Sequence, residues 1–198
     1  MDRTIASKPE NMIKFQDLLP GIIERLPRIP SLLKAFRAGL SISMDDYNSI
    51  GLITENNASL FPEKRALLYE DQCYTHKELN ELINRYANYF HKKGIKPGDV
   101  VGVMLENRPE LVMLIVALGK LGAISSLINP NQKGKVLLHS IKLTCKDVFV
   151  VGEEMLEAFN DIKSGLDIVS NENIYFLPDG TDTKAPEGFV DLKSLMEN

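Results

Sequence analysis

The sequence contains few cysteines, few histidines and no tryptophan. The two cysteines, Cys73 and Cys145, stand far apart and form no CxxC pair. The three histidines, His76, His91 and His139, follow no metal-ligand spacing. Two thiols in 198 residues also exclude a disulfide scaffold. We therefore predict no metal site, and two small apolar thiols in a reducing cytosol.

Positive charge is not in excess either. The chain has 23 Lys and Arg against 27 Asp and Glu, a net charge of −4. Nucleic-acid binding depends on basic groups that displace counterions, so this balance argues against nucleic acid as the main partner. The composition is otherwise globular, with 44% hydrophobic and 25% charged residues. Length and composition together predict one domain, or two small ones, with a substantial core.

A secretory signal and an uninterrupted hydrophobic run are also missing. Residues 1–11 are polar, with no apolar stretch before a cleavage site. Residues 111–128 are the most apolar run, but Lys120 lies within it, between Gly119 and Gly122. Since a charge in the bilayer core costs about 3 kcal/mol, we interpret the run as a buried helix, a glycine stop and a buried strand. The expected location is the cytoplasm, with peripheral membrane contact left open.

The amino-terminal segment differs from the rest of the chain. In its first 40 residues, seven basic side chains outnumber four acidic ones, and apolar residues recur at near-helical spacing. Pro20, Pro27 and Pro30 exclude one long helix, so we expect two or three short ones. We divide the chain into a basic, proline-broken helical leader over residues 1–44 and an α/β domain over residues 45–198. Residues 12–40 either make a weak surface contact with a membrane or pack on their own domain.

Regular secondary-structure signals begin near residue 47. A helix over residues 50–58, a hairpin over residues 66–75 and a capping box formed by Thr75 and Glu78 come first. An amphipathic helix follows and ends at Gly94, with His76 and His91 away from its apolar stripe. Four apolar runs then predict strands at 100–104, 123–128, 147–151 and 174–177.

Helical segments connect these strands. Asn107 is predicted to cap the first, with Pro109 in its first turn, and the others cover residues 135–144 and 153–163. The tail from Pro178 is predicted as a loop before a short helix over residues 192–197. Alternating strands and helices predict a mostly parallel sheet with helices on both faces.

The usual phosphate-binding and catalytic patterns are absent. No GxGxxG follows a strand, and Lys135 is followed by Val136, so there is no GxxxxGK[ST]. The turn after the first strand contains Glu106, a poor group for a phosphate cradle. Residues 179–184 carry two aspartates and one glycine, which is typical of a solvated turn. We assign no catalytic, cofactor-binding or metal-binding residue.

Four motifs in order nevertheless resemble those of the adenylate-forming (AMP-binding) superfamily. Residues 74–79 (YTHKEL) and 118–131 (LGKLGAISSLINPN) look like its first two core motifs, and residues 106–110 (ENRPE) are also typical. Residues 129–134, followed by His139, are similar to the branch of fatty acid transport proteins and very-long-chain acyl-CoA synthetases, which usually has Arg in place of Lys133. The resemblance covers residues 45–152 well.

The resemblance implies an amino-terminal fragment of an ATP-dependent long- or very-long-chain fatty-acid–CoA ligase. Such enzymes form an acyl-adenylate with ATP and magnesium, then transfer the acyl group to coenzyme A. Their phosphate loop and catalytic motifs would lie downstream of residue 198, so we expect the chain to hold no cofactor, to be inactive alone and to self-associate. The alternative is a free-standing, non-enzymatic lipid- or partner-binding module. A third option, an unrelated nucleotide binder, lacks the glycine fingerprint.

Overall fold

A computed structural model describes residues 29–40, 49–144, 148–166, 173–179 and 183–197. The chain forms two compact units, residues 1–47 and 48–198. In the first unit, helix α1 covers Ile29–Leu40, with Pro30 in the first turn, where its missing N–H is tolerated. Leu33 and Phe36 of α1 are exposed. The rest of the predicted leader, including any further helix, lies outside the described residues.

The second unit opens with a helix and a hairpin. Helix α2 covers Ile50–Leu60, and its N-cap, Ser49, accepts a hydrogen bond from the backbone N–H of Leu52. Strands β1 (Arg65–Tyr69) and β2 (Gln72–Thr75) pair antiparallel. Glu70 in the connecting turn has a positive φ of 48°. These elements confirm the predicted hairpin.

The capping box is present as predicted and starts helix α3, His76–Lys92. Thr75 Oγ1 accepts a hydrogen bond from the Glu78 backbone N–H at 3.2 Å, and Glu78 Oε2 accepts one from the Thr75 backbone N–H at 2.9 Å. These reciprocal bonds satisfy two donors that a helix start otherwise leaves unpaired. Gly94, at φ +90°, follows the helix end.

The same bonds make the capping box sensitive to pH. The backbone N–H of Thr75, and then its hydroxyl, hold the pKa of the Glu78 carboxyl below its usual range. Because the folded pKa is lowered, this stabilisation is complete above the ordinary pKa and is lost as the pH falls through the folded pKa.

We expect Thr75→Ala to lower the free energy of unfolding by about 1 kcal/mol near neutral pH. The change should also move the pKa of Glu78 upwards, because one of its hydrogen bonds disappears. Urea unfolding and carboxyl NMR titration measure the two effects. Thr75→Ser keeps the hydroxyl and is the matched control. An unchanged pKa of Glu78 in the alanine variant would contradict this account of the cap.

The remaining elements build a parallel sheet. In chain order they are β3 (Val100–Met104), α4 (Pro109–Lys120), β4 (Ile124–Leu127), α5 (Gly134–Thr144), β5 (Val148–Gly152), a 3₁₀ turn (Glu153–Met155), α6 (Leu156–Lys163), β6 (Ile174–Leu177), β7 (Val190–Asp191) and α7 (Leu192–Glu197). The described strands are ordered β4-β3-β5-β6-β7, and every neighbouring pair is parallel. This confirms the predicted α/β architecture and all four predicted strands.

Helices cover both faces of this sheet, as predicted. On one face, α3, α4 and α7 pack on Val101, Val103 and Tyr175. On the other, α5 and α6 pack on Phe149, Val151 and their neighbours. Burial on both sides explains why the runs of β3, β5 and β6 are apolar instead of alternating. Strand β4 is not the buried strand that the sequence predicts, because it lies at the end of the described sheet and its Ile124 and Leu127 are exposed.

Three further sequence predictions are corrected by the structure. Asn107 does not cap α4: Arg108 is the N-cap, without a side-chain capping bond, because the helix begins directly at Pro109 and leaves Asn107 one residue too early. The predicted helix over residues 153–163 is a 3₁₀ turn followed by α6. Strand β7 lies where the sequence predicts a loop, because two residues are too few to show a strand pattern.

Candidate functional site

The strand order reverses beside β3, and this places a crevice at the carboxyl ends of β3 and β5. From β3 the chain crosses through α4 to β4 on one side, then returns through α5 to β5 on the other. Open parallel sheets usually bind ligands in such a crevice. The residues that follow β3, β5 and β6 are therefore the first place to look for a site.

A buried arginine occupies this crevice. Arg108, 5% exposed, donates one hydrogen bond to the carbonyl oxygen of Leu177 at 2.9 Å and another to that of Pro178 at 3.0 Å. It also donates to Asp179 Oδ1 at 3.0 Å. One guanidinium group thus ties the start of α4 to the chain that leaves β6.

Two glutamates from the turn after β5 complete the arrangement. Glu154 Oε1 accepts a hydrogen bond from the Glu106 backbone N–H at 2.8 Å, and its other oxygen lies 3.9 Å from Arg108. Glu153 accepts hydrogen bonds from the Asp179 backbone N–H at 3.0 Å and from the Thr183 hydroxyl at 2.8 Å. The side chains of Arg108, Glu153 and Glu154 therefore join the ends of β3, β5 and β6 through contacts with residues 106, 177–179 and 183.

The charges in the crevice do not suit a polyphosphate. One guanidinium group faces the carboxylates of Glu110, Glu154 and Asp179, and Glu153 adds a fourth beside Asp179. Arg108 Nε has no hydrogen-bond partner within the described ranges, but Glu110 lies 3.7 Å from it. An incoming phosphate would meet more negative than positive charge at short range. We therefore interpret the crevice as a structural lock that joins the ends of the strands.

A second polar cluster surrounds Lys120, at the end of α4. The Nζ atom donates to Glu55 Oε1 at 2.7 Å, Asn80 Oδ1 at 3.0 Å and Asn84 Oδ1 at 2.7 Å. All three ammonium donors are thus used, and the cluster joins α2, α3 and α4. The charge inside the apolar run is therefore accommodated by one exposed carboxylate and two partly buried amides, as expected for a helix of a folded domain. In the part of the chain that the structure describes, no helix is long and apolar enough to cross a membrane.

Thiols and imidazoles do not assemble into a site. Cys73 is an exposed thiol on β2, and Cys145 lies outside the described residues. His76 and His91 are on α3, while His139 is on α5. Over the ranges the structure describes, no group of three or more His, Cys, Asp and Glu residues is placed to hold a metal ion.

Arg108 is the structurally important polar residue that the sequence analysis did not single out. The sequence feature that could have drawn attention to Arg108 is its position. It is a lone arginine among acidic residues, between a buried strand and a proline that starts a helix. That pattern does not identify the partners, because the bonds reach residues about 70 positions away.

Comparison with known proteins gives this scaffold a family context. The family described as "AMP-binding enzyme" matches residues 54–190. Over 144 residues the chain is 33% identical to the medium/long-chain-fatty-acid–CoA ligase FadD6 of Mycobacterium tuberculosis, covering 71% of this chain and 24% of that protein. Over 142 residues it is 29% identical to long-chain fatty acid transport protein 6 of Homo sapiens, covering 71% and 22%.

Solved structures share the fold. The anthranilate CoA ligase AuaEII, in complex with anthranoyl-AMP, superposes with a TM-score of 0.66 at 22% identity, over 76% of this chain and 28% of that one. A fatty acyl CoA synthetase of Mycobacterium tuberculosis gives a TM-score of 0.61 at 20% identity, over 75% and 28%. The chain thus spans about a quarter of the length of the curated relatives described above.

Proposed function

The chain belongs to the AMP-binding enzyme family, and from this premise we propose that it is the amino-terminal portion of an ATP-dependent long- or very-long-chain fatty-acid–CoA ligase. The observations that carry the proposal are the family match over residues 54–190 and the similarity to relatives named as fatty-acid–CoA ligase and fatty acid transport protein, of which the chain spans about a quarter. In the full-length enzyme, acyl-adenylate formation with ATP and magnesium would precede thioester formation with coenzyme A. The fatty acid would be its substrate.

The same proposal makes this portion inactive alone. Adenylyl transfer depends on groups that position and neutralise the triphosphate. Arg108, the buried cation at the carboxyl edge of the sheet, is committed to carbonyl and carboxylate partners of the chain itself. The described residues therefore supply a scaffold, and the triphosphate-binding groups are expected downstream.

We predict that the 198-residue chain shows no acid-dependent ATP–pyrophosphate exchange above the no-enzyme background. Joined to the downstream two-thirds of a related ligase, it should support acyl-CoA formation. The downstream portion alone is the control, and it should be inactive because it lacks this scaffold. Exchange by the isolated chain with any fatty acid would refute the proposal.

A second candidate is a free-standing lipid- or partner-binding module without enzymatic activity. Exposed apolar side chains at β4 and α5, namely Ile124, Leu127, Val136 and Leu143, suit this candidate as well as the ligase portion. Such a surface would be covered by a downstream portion of the ligase or by a separate partner protein. A monodisperse monomer in solution would favour the module, whereas self-association would favour the truncated ligase.

We further propose a cytoplasmic location with a weak membrane contact through residues 12–40. In α1, the exposed Leu33 and Phe36 alternate with Lys34 and Arg37, an amphipathic arrangement. We predict weak, salt-sensitive binding to anionic vesicles, because each basic residue contributes only about 1 kcal/mol near such a surface. Vesicle sedimentation at low and high salt measures it, with neutral vesicles as the control. Tight, salt-resistant binding would indicate a true membrane anchor.

A further inference from the structure

The hairpin has an open edge along β1. Among the described residues, β1 bonds through its backbone to β2 alone, and the two strands form a separate two-stranded sheet. The bulge near Arg65 leaves residues 67–69 regularly paired, and this stretch contains no charged residue and no proline. Every second N–H and C=O group of such an edge points away from its partner strand and can pair with another one.

A cavity of about 270 Å³ lies beside this edge, between β1 and the start of α4. Leu67 and Tyr69 form its wall on the β1 side, and Pro109, Leu111 and Val112 form it on the α4 side. Pro109 is buried, whereas Val112 is 39% exposed. At about 30 Å³ for each water-sized group, the cavity holds roughly nine non-hydrogen atoms, which is room for one aromatic side chain or two aliphatic ones.

The cavity lies on the side of β1 that faces away from β2. Tyr74 and Gln72 of β2 pair with Leu67 and Tyr69. Both β2 residues line a different cavity, of about 370 Å³, which α3 also lines, and none of the described residues of β2 lines the smaller cavity. A third strand beside β1 would therefore run over the smaller cavity, and every second side chain of that strand would point into it.

The cavity wall and the shortness of the edge together define the occupant. Arg108 also lines the cavity, but its guanidinium group already donates to residues 177–179, so the wall offers an incoming group mainly apolar contacts. Residues 67–69 provide only a few outward backbone bonds, too few for a partner in free solution. A strand of the same chain needs fewer bonds, because its effective concentration is roughly millimolar.

We propose that the β1 edge and this cavity receive an extended strand from the part of the ligase downstream of residue 198. The backbone of this strand pairs with residues 67–69, and one of its apolar side chains fills the cavity, a combination that is common in strand addition. The proposal rests on the proposed function for the existence of that downstream part. The family match includes the hairpin, and the chain spans only about a quarter of the relatives named above.

Hydrogen exchange of the β1 amides tests this strand. In the chain joined to the downstream portion of a related ligase, the β1 amides that point away from β2 should exchange at least tenfold more slowly than in the isolated chain. Val112→Asp places a charge in the cavity wall, so in the joined chain it should restore the fast exchange. Leu52→Asp is the matched control: Leu52 is also 39% exposed near the start of a helix, on α2, and its replacement should leave the slow exchange unchanged.

Acyl-CoA formation by the joined chain measures the ligase function separately. Unchanged exchange of the β1 amides in a folded joined chain would overturn the strand, whether or not acyl-CoA forms, and would assign the edge to another partner. Slow exchange without acyl-CoA formation would support the strand and count against the ligase. Exchange that is already slow in the isolated chain, and slows further with its concentration, would assign the edge to a second copy and overturn the proposal. Slow exchange that survives Val112→Asp would overturn the assignment of the cavity.

Discussion

Replacing Arg108 by methionine should lower the free energy of unfolding of the chain by about 3 kcal/mol. The guanidinium group is buried and hydrogen-bonded to the carbonyl oxygens of Leu177 and Pro178. Its removal leaves these acceptors, and the Glu154 carboxylate 3.9 Å away, without the positive charge that faces them. Removal of one partner from a buried ionic arrangement typically costs 3–5 kcal/mol, because the other charge stays buried and unpaired.

Thermal and urea unfolding measure this effect. For a domain of this size, the midpoint should fall by roughly 6–12 °C. Arg65→Met is the matched control: Arg65 is exposed at the start of β1, so its replacement should change stability by less than about 0.5 kcal/mol. Arg108→Lys keeps the positive charge but loses the planar, forked set of guanidinium donors. Its free energy of unfolding should therefore lie between those of the parent and Arg108→Met. An Arg108→Met variant as stable as the parent would show that the crevice is not a structural lock.

The local elements of the fold were predictable because their causes are local. The Thr75–Glu78 capping box joins residues three positions apart, and the sequence places both partners next to an apolar stripe. The strands were predictable for a similar reason, since each is a short apolar run between polar turns. In both cases the deciding interactions involve residues that are neighbours in the chain.

The crevice was not predictable, because its bonds join distant parts of the chain. Arg108 contacts residues 177–179, and Glu154 reaches the backbone of residue 106. No local pattern identifies these partners, so the sequence does not single out Arg108 and predicts Asn107 as the cap. Strand β7 was missed for a related reason: its two residues form a strand through pairing with β6.

The exposed edge of the sheet leads to the other large expected effect. Among the described strands, β4 is at the end of the sheet, so its outer edge has no strand partner there. Ile124 and Leu127 are 54% and 56% exposed and lie on opposite faces, because they pair with Val100 and Val103, which belong to the two different cores. The strand sequence Ile-Ser-Ser-Leu contains no charged residue or proline that would discourage edge pairing.

We therefore expect the isolated chain to self-associate at micromolar concentrations, and the double variant Ile124→Lys/Leu127→Lys to be monomeric. The lysines place charge on both faces of the edge strand, where an approaching strand or a covering partner would have to bury it. Sedimentation velocity measures the change. Leu68→Lys is a matched control, because Leu68 is 62% exposed on the separate hairpin, and its replacement should leave self-association intact.

Joining the downstream portion of a related ligase should also give a monomer, because the exposed apolar surface would then be covered within one chain. A monomeric parent chain would mean that the β4 edge needs no cover. The truncated ligase would then lose its physical support, and the free-standing module would become the better explanation.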